Sequence, residues 1–225
     1  MEKQRHVVII FPHPDDESFG TAGTIHNYRK EGVPVTYLCG TLGEMGRNMG
    51  TPPFATRETL YKYREKELED ACKFLDIDYK LLGYRDKTIE FENKADVAAH
   101  VKEVLEEINP SLVITHYPGH GVHPDHNALG EATIEAVRLM DADKRPTVWA
   151  AAITNNYEEV LGEPEVEIPL SKEQFDFKLE AITKHKSQAE GMLEKMRETP
   201  ADAQMYIDGL KERLGKERFF IWKYD

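Results

Sequence analysis

The sequence predicts an α/β fold, a mostly parallel Rossmann-like sheet with helices on both faces, and three observations carry that reading. Residues 7–11 are five apolar side chains, four of them β-branched, closed by Pro12, as in a strand buried on both faces of a parallel sheet. Similar short runs recur at 35–39, 112–115 and 147–153, separated by helical patterns. The runs at 7–11 and 112–115 each end in a dense polar cluster, and ligands of open α/β sheets bind beyond the carboxyl ends of the strands.

After the first strand, residues 18–30 read as a helix, with Gly20 and Gly23 permitting close approach to the sheet and Gly32 as its stop. Residues 35–39 return as a strand. Residues 40–56 hold four glycines, Pro52 and Pro53 without periodicity, so a long loop is expected at a strand's carboxyl end, a place suited to a lid. Residues 57–75 form a charged helix with an apolar stripe through Leu60, Tyr63, Leu68, Ala71, Cys72 and Leu75. A short strand at 79–82 leads into Gly83-Tyr84-Arg85-Asp86. Residues 95–108 are amphipathic and stop at Asn109-Pro110, because the residue before a proline disfavours the helical basin.

The strand at 112–115 delivers the second cluster, His116 to His126, which opens a helix reaching about Met140. Pro124 suits its first turn, where a missing N–H costs nothing. Residues 147–153 make a further strand. Beyond them, 165–169 reads as a strand, 172–186 and 201–214 as helices, and 219–224 as a closing strand. No repeat or linker interrupts the chain, so one domain over 1–225 is expected, large enough to need no disulfide.

A net charge of −12 and a pI near 5.3 argue against nucleic acid or an anionic membrane surface, which demand clustered Lys and Arg. The first apolar run is too short for a signal-peptide core or a membrane span. A cytoplasmic protein acting on a small molecule is the expectation, with a homo-oligomeric assembly. Cys39 and Cys72 match no zinc or redox spacing and read as reduced core residues.

The two clusters together specify chemistry. A catalytic zinc takes three protein ligands and leaves a fourth position for water. His13 and Asp16 lie three apart on a tight turn, and His126 approaches from the next strand's end, giving a His₂Asp site for one Zn²⁺ per chain, with Fe²⁺ able to occupy the same ligands. Adjacent residues point in different directions, so Asp15 is left beside the site as a base for hydrolytic attack on a carbonyl. His126 is the better ligand because it lies inside the helical turn. His123 then reaches the substrate carbonyl oxygen as a protonated imidazole and later protonates the leaving amine. Asp125 either holds His123 charged or orients a ligand. His116 reads as closing its strand, His120 as a loop residue, and His6, His26, His100 and His185 as lying elsewhere, on surface faces or, for His185, late in a helix. A two-metal phosphoesterase would need more ligands than the remaining Glu17, Asp125 and His116, and a non-catalytic nucleotide-binding module would need glycines where His13 to Asp16 stand.

The chain resembles the zinc-dependent N-deacetylases of the LmbE-like or PIG-L type. The motifs are His13-Pro14-Asp15-Asp16-Glu17 with Gly23-Thr24-Ile25, Thr41-x-Gly43-Glu44-x-Gly46, Arg64-x-x-Glu67-Leu68, Gly83-Tyr84-Arg85-Asp86, His123-Pro124-Asp125-His126 and His185-x-Ser187-Gln188. The resemblance implies zinc on His13, Asp16 and His126, Asp15 as general base, His123 as oxyanion stabiliser tuned by Asp125, and Arg64 on the substrate; Glu44 and Asp86 are further candidates for substrate contact. In mycothiol-type relatives a tyrosine stands two residues before the position of His123; here that residue is Gly121. The compact length is similar to the bacillithiol-biosynthesis branch, whose members remove acetate from N-acetylglucosaminyl-malate, and a general N-acetyl-sugar or chito-oligosaccharide deacetylase is the alternative. Arg47, Arg64 and Arg85 are expected to share one rim, where a planar fork of donors would pair with a substrate carboxylate.

Overall fold

The computed structural model describes residues 3–196 and 198–224. Met1, Glu2, Arg197 and Asp225, which the expected domain span of 1–225 includes, lie outside the described residues.

The chain runs β1 (Val7–Phe11), α1 (Asp16–Lys30), β2 (Val35–Cys39), α2 (Leu60–Leu75), β3 (Asp78–Leu81), α3 (Lys94–Ile108), β4 (Leu112–His116) and α4 (Pro124–Arg138). It continues with β5 (Thr147–Ala151), α5 (Tyr157–Leu161), β6 (Val166–Pro169), α6 (Lys172–Ile182), α7 (Lys186–Met196), α8 (Pro200–Leu214) and β7 (Lys216–Ile221). The described strands form one sheet in the order β3-β2-β1-β4-β5-β7-β6. Every pairing from β3 to β5 is parallel; β7 runs antiparallel to both β5 and β6.

The alternating side chains of β1 explain why it is apolar throughout. Val7, Ile9 and Phe11 enter a core with Ile25, Tyr28, Leu68 and Leu179 from α1, α2 and α6. Val8 and Ile10 enter the other, with Val101, Leu105, Leu129 and Val137 from α3 and α4. Such a strand has no polar face.

Strand order reverses at β1: β2 and β3 lie on one side of it, β4 and β5 on the other. Connections after β1 and β4 therefore leave in opposite directions and open a crevice between the two strands. Register keeps those ends level, with Phe11 beside Cys39 and Ile9 beside Ile114. Residues following β1, β2, β3 and β4 thus emerge along one edge.

Several boundaries differ from expectation for local reasons. Helix α1 begins at Asp16, ahead of residue 18, and α2 begins only at Leu60, after the turn in which the Leu60 and Thr59 amides donate to Thr56 O. Strand β5 ends at Ala151 because the amides of Ile153 and Thr154 donate to His120 O instead. The helix expected over 172–186 is two helices, α6 and α7, broken at residues 183–185. Neither α7 nor the short α5 was foreseen. The closing strand lies earlier than expected, at Lys216–Ile221. Among the described residues no helix is long and apolar enough to cross a membrane.

A buried ion pair locks β7 into this layout. Glu217 accepts from Lys178 Nζ on α6 at 2.9 Å, and from the Gly23 amide, Thr24 amide and Thr24 Oγ1 on α1 at 2.9, 2.7 and 2.6 Å. Both charged side chains are only 1% exposed. Removing one partner leaves a buried charge uncompensated, at a cost of about 3–5 kcal/mol. Lys178→Met should therefore lower the urea-unfolding free energy by about that amount, far more than Lys30→Met, which removes an exposed pair to Glu173.

Candidate active site

Beyond Phe11 the chain turns sharply, and its carbonyls are held by β2 and the loop after it. Tyr37 Oη donates to His13 O at 2.5 Å, and both the amide and the hydroxyl of Thr41 donate to Pro12 O at 2.7 and 2.9 Å. Asp15 then adopts φ 110° and ψ −29°, a left-handed conformation that costs a non-glycine residue on the order of 1–3 kcal/mol. The reversal sends the adjacent carboxylates of Asp15 and Asp16 in different directions.

Asp16 opens α1, and its Oδ2 accepts from the His13 amide at 2.9 Å. His13 Nδ1 lies 3.2 Å from His126 Nε2 and 3.4 Å from Asp16 Oδ2, and His126 Nε2 lies 3.4 Å from Asp16 Oδ1. The outer ring nitrogens are engaged: His13 Nε2 lies 3.2 Å from Asp86 Oδ1, and His126 Nδ1 donates to Gly121 O at 2.7 Å. With protons on those outer nitrogens, both inner ones present lone pairs to each other and to a carboxylate. Three electron-pair donors facing inward suit a cation. The electrostatics agree. Burial pulls the His13 pKa down, but Asp125, Asp16 and Asp86 outweigh it and raise it well above the usual imidazole range. Burial pushes Asp16 up, but His126 and His13 hold its carboxyl well below the usual range.

His13, Asp86 and His123 also cluster within metal-ligand distance. Because His13 Nε2 serves Asp86, this second group supports the first ligand set. Asp86 is itself fixed by the Met45 amide at 2.8 Å, and its own amide donates to Glu44 Oε1 at 3.0 Å. Glu44 and Asp86 thus pin the loop after β2 against the histidines.

His116 does more than close β4. Its ring stacks on His126 at 4.0 Å and 5°, with Phe11 behind it at 4.2 Å. Burial and the neighbouring His126 pull its pKa well down, so it is a neutral slab that fixes the ring plane of His126. Gly121 is required by the same packing: a Cβ there would meet His126 Cβ at 2.6 Å, which leaves no room for the mycothiol-type tyrosine.

Of the two roles expected for Asp125, its carboxylate takes the one beside the candidate ligand His13 and does not pair with His123. Fully buried, its carboxylate accepts from the Lys87 and Ile89 amides at 2.7 and 3.2 Å and lies 3.6 Å from His13 Nε2. What Asp125 gives His123 is its amide, donated to His123 Nδ1 at 3.1 Å, which leaves the ring proton on Nε2. Burial, His13 and His126 lower the His123 pKa, which together with the accepting Nδ1 favours a neutral N–H donor over the expected imidazolium in the metal-free chain.

The three arginines do not share a rim. Arg64 is buried: it donates to Gly43 O at 3.0 Å, to Pro14 O, and to Asp15 Oδ2 at 3.1 Å. Arg47 and Arg85 are exposed, on separate clefts. Arg85 lines one of about 380 Å³ with Thr41, Glu44 and Tyr61. Arg47 lines another of about 470 Å³ with Asn48, Ser187 and Gln188.

Sequence reasoning missed Glu17 and His185. Both are fully buried, and His185 Nε2 lies 2.7 Å from Glu17 Oε1. Burial opposes the charge on each, but the pairing outweighs it, raising the His185 pKa and lowering that of Glu17. The signal was present in His185-x-Ser187-Gln188, whose Ser187 amide and hydroxyl donate to Glu67 at 2.7 and 2.6 Å.

The PIG-L family model, described as GlcNAc-PI de-N-acetylase, matches residues 8–137. A Bacillus cereus protein named "Probable N-acetyl-alpha-D-glucosaminyl L-malate deacetylase 2" is 49% identical over 99% of this chain and 100% of its own length. A Bacillus subtilis protein of the same name is 53% identical over 87% of this chain and 88% of its own. The chain belongs to the PIG-L family. It is therefore a hydrolase of the amide-cleaving deacetylase type. The solved structure of N,N'-diacetylchitobiose deacetylase from Pyrococcus horikoshii shares the PIG-L fold seen here, with a TM-score of 0.74, 23% identity, and coverage of 98% of this chain and 85% of the other.

The support for His13 is testable by metal binding alone. Asp86→Ala should weaken divalent-ion affinity by about 10–100-fold, the usual effect of losing a partner that orients a ligand. Asp16→Ala should abolish stoichiometric binding. Calorimetric titration with Zn²⁺ measures both, and unchanged affinity in Asp86→Ala would remove Asp86 from the site.

Proposed function

We propose that this protein is a zinc-dependent deacetylase that removes acetate from N-acetylglucosaminyl-malate. The observation that carries the reading is the inward-facing donor set of His13 Nδ1, Asp16 and His126 Nε2, with Asp15 next to it in the chain. Those three residues would hold one divalent ion, zinc by their nitrogen and carboxylate donors, with Fe²⁺ compatible. Such an ion supplies Lewis acidity, polarising a carbonyl and acidifying water.

The protein's own groups do the rest. Asp15, fixed by Arg64, takes a proton from the attacking water. His123, neutral with its proton on Nε2, donates to the amide oxygen as charge develops there. Because His123 is held neutral, the proton received by Asp15 is the one returned to the leaving amine, so atoms and charges balance without an outside acid. Substrate identity is supported by the two relatives near 50% identity and by Arg47 and Arg85, exposed cations in an acidic chain. Arg64, engaged with Asp15 and two carbonyls, orients the base. The buried free thiols of Cys39 and Cys72 suit the reducing cytoplasm, where we place the protein.

Acetate release from a substrate panel tests this function. The malate conjugate should exceed plain N-acetylglucosamine by about ten- to a hundred-fold in kcat/KM, the worth of one charge-assisted contact. Because Arg47 and Arg85 lie on separate clefts, one of Arg47→Ala and Arg85→Ala should erase most of that preference and the other should leave it. Equal turnover of plain N-acetylglucosamine or a chito-oligosaccharide would make it a general sugar deacetylase.

Asp15→Asn should keep its metal and lose about 10²–10⁴ in rate. Burial, against the pull of Arg64, pushes the Asp15 carboxyl up to about 6 in the metal-free chain. A base must be ionised, and a bound cation draws its pKa lower, so kcat/KM should fall with decreasing pH through a midpoint at or below about 6. A midpoint well above that, or a limb that persists unchanged in Asp15→Asn, would assign the limb to another group.

A further inference from the structure

We propose that the buried Glu17–His185 pair is a positioning device for Asp15, acting through the backbone amide of Asp15. The carboxylate of Glu17 divides its two oxygens. Oε2 accepts from the Asp15 amide at 3.0 Å, while Oε1 accepts from Ser18 Oγ at 2.6 Å and lies 2.7 Å from His185 Nε2. At φ 110° the Asp15 amide is turned away from the helix that begins one residue later, so it needs an acceptor from outside the helical ladder. Glu17 is that acceptor. His185 is committed to holding it, since its other ring nitrogen is buried without a hydrogen-bond partner among the described residues.

The pair is anchored in turn. His185 sits in the break between α6 and α7, and two residues on, Ser187 is held to Glu67 of α2 through both its amide and its hydroxyl. One turn earlier on α2 is Arg64, which grips the carboxylate of Asp15 and the carbonyl of Pro14. Helix α2 therefore holds Asp15 twice, by the side chain directly and by the backbone through Ser187, His185 and Glu17. A simple clip between α1 and the α6–α7 junction would need only the Glu17–His185 contact. The second oxygen, aimed at the one backbone amide of a strained residue, is what ties this pair to the base.

The inference rests on Asp15 being the base, and the experiment separates the two. His185→Leu withdraws the donor that orients Glu17; His185→Gln returns an N–H near the position of Nε2. Kinetics are measured per bound zinc on the purified full chain. Amide hydrogen exchange is followed by NMR on the metal-free protein.

We expect His185→Leu to lower kcat about ten- to a hundred-fold at unchanged KM and metal content, as small misplacements of a reacting group do. The Asp15 amide should exchange at least tenfold faster, while the Ser18 and Phe19 amides, bonded to Asp15 O, stay protected. His185→Gln should restore most of both. In an Asp15→Asn background, His185→Leu should cause no further loss. If His185→Leu does not fold, Ser18→Ala withdraws the other donor from the same oxygen and should give the same pattern with a smaller loss. Multiplying losses, or unchanged protection of the Asp15 amide, would overturn the positioning role. Full activity in Asp15→Asn would instead overturn Asp15 as the base.

Discussion

Two imidazole nitrogens and a carboxylate face one another at 3.2–3.4 Å, an arrangement that a shared proton or a bound cation satisfies, and much of the surrounding structure exists to keep them there. Asp86 and Gly121 occupy the outer nitrogens, so the lone pairs point inward. His116 and Phe11 fix a ring plane by stacking. Asp125 holds the Lys87–Ile89 turn beside Asp86. Each of these groups is buried, where hydrogen bonds are strong and an unpaired charge is costly. Placing the donors at the ends of β1 and β4, where the strand order reverses, opens the crevice a substrate needs without disturbing either core.

Holding such a site lowers stability locally, and the compensation is visible. Asp15 adopts a left-handed backbone that glycine would take more cheaply. The conformation is held by contacts to its amide, side chain and neighbouring carbonyl, and the proposed base role gives a reason for a carboxylate there. About two turns further along α1, Glu217 of the Glu217–Lys178 pair receives two α1 amides in the core. That pair fastens β7 and α6 to the helix whose first turn carries the site.

Fold class and the convergence of His13, Asp16 and His126 were legible in the sequence because both depend on short-range pattern. A β-branched run ending in a polar cluster marks a strand and its carboxyl end, and His13 with Asp16, or His123 with His126, are related by one turn. What was hidden depends on long separations or side-chain direction. His185 meets Glu17 across 168 residues, and residues 183–185 carry no glycine or proline to announce a break, so the helical pattern ran through them. Asp125 sits between two histidines in sequence, yet its carboxylate points to the Lys87 and Ile89 amides. The three arginines looked equivalent because spacing along the chain says nothing about burial. Arg64 lies on the inner face of α2, whereas Arg47 and Arg85 lie in connections.

That last contrast separates what the site does from what it acts on. Arg64, close to the donor set, commits its terminal guanidinium nitrogens to Gly43 O, Pro14 O and Asp15 Oδ2. The exposed arginines, by contrast, lie on two clefts bordering the loop after β2, where the proposed function puts substrate recognition. Arg85 faces one cleft and Arg47 the other, and the Asn48 and Gln188 side chains reach across to each other's backbone carbonyls at 3.5 and 3.4 Å. Exposed loop residues tolerate change because they carry little of the core's packing. A rigid frame of α1, α2 and the α6–α7 junction can thus keep its amide chemistry while the loop sets the acetylated amine that reaches it.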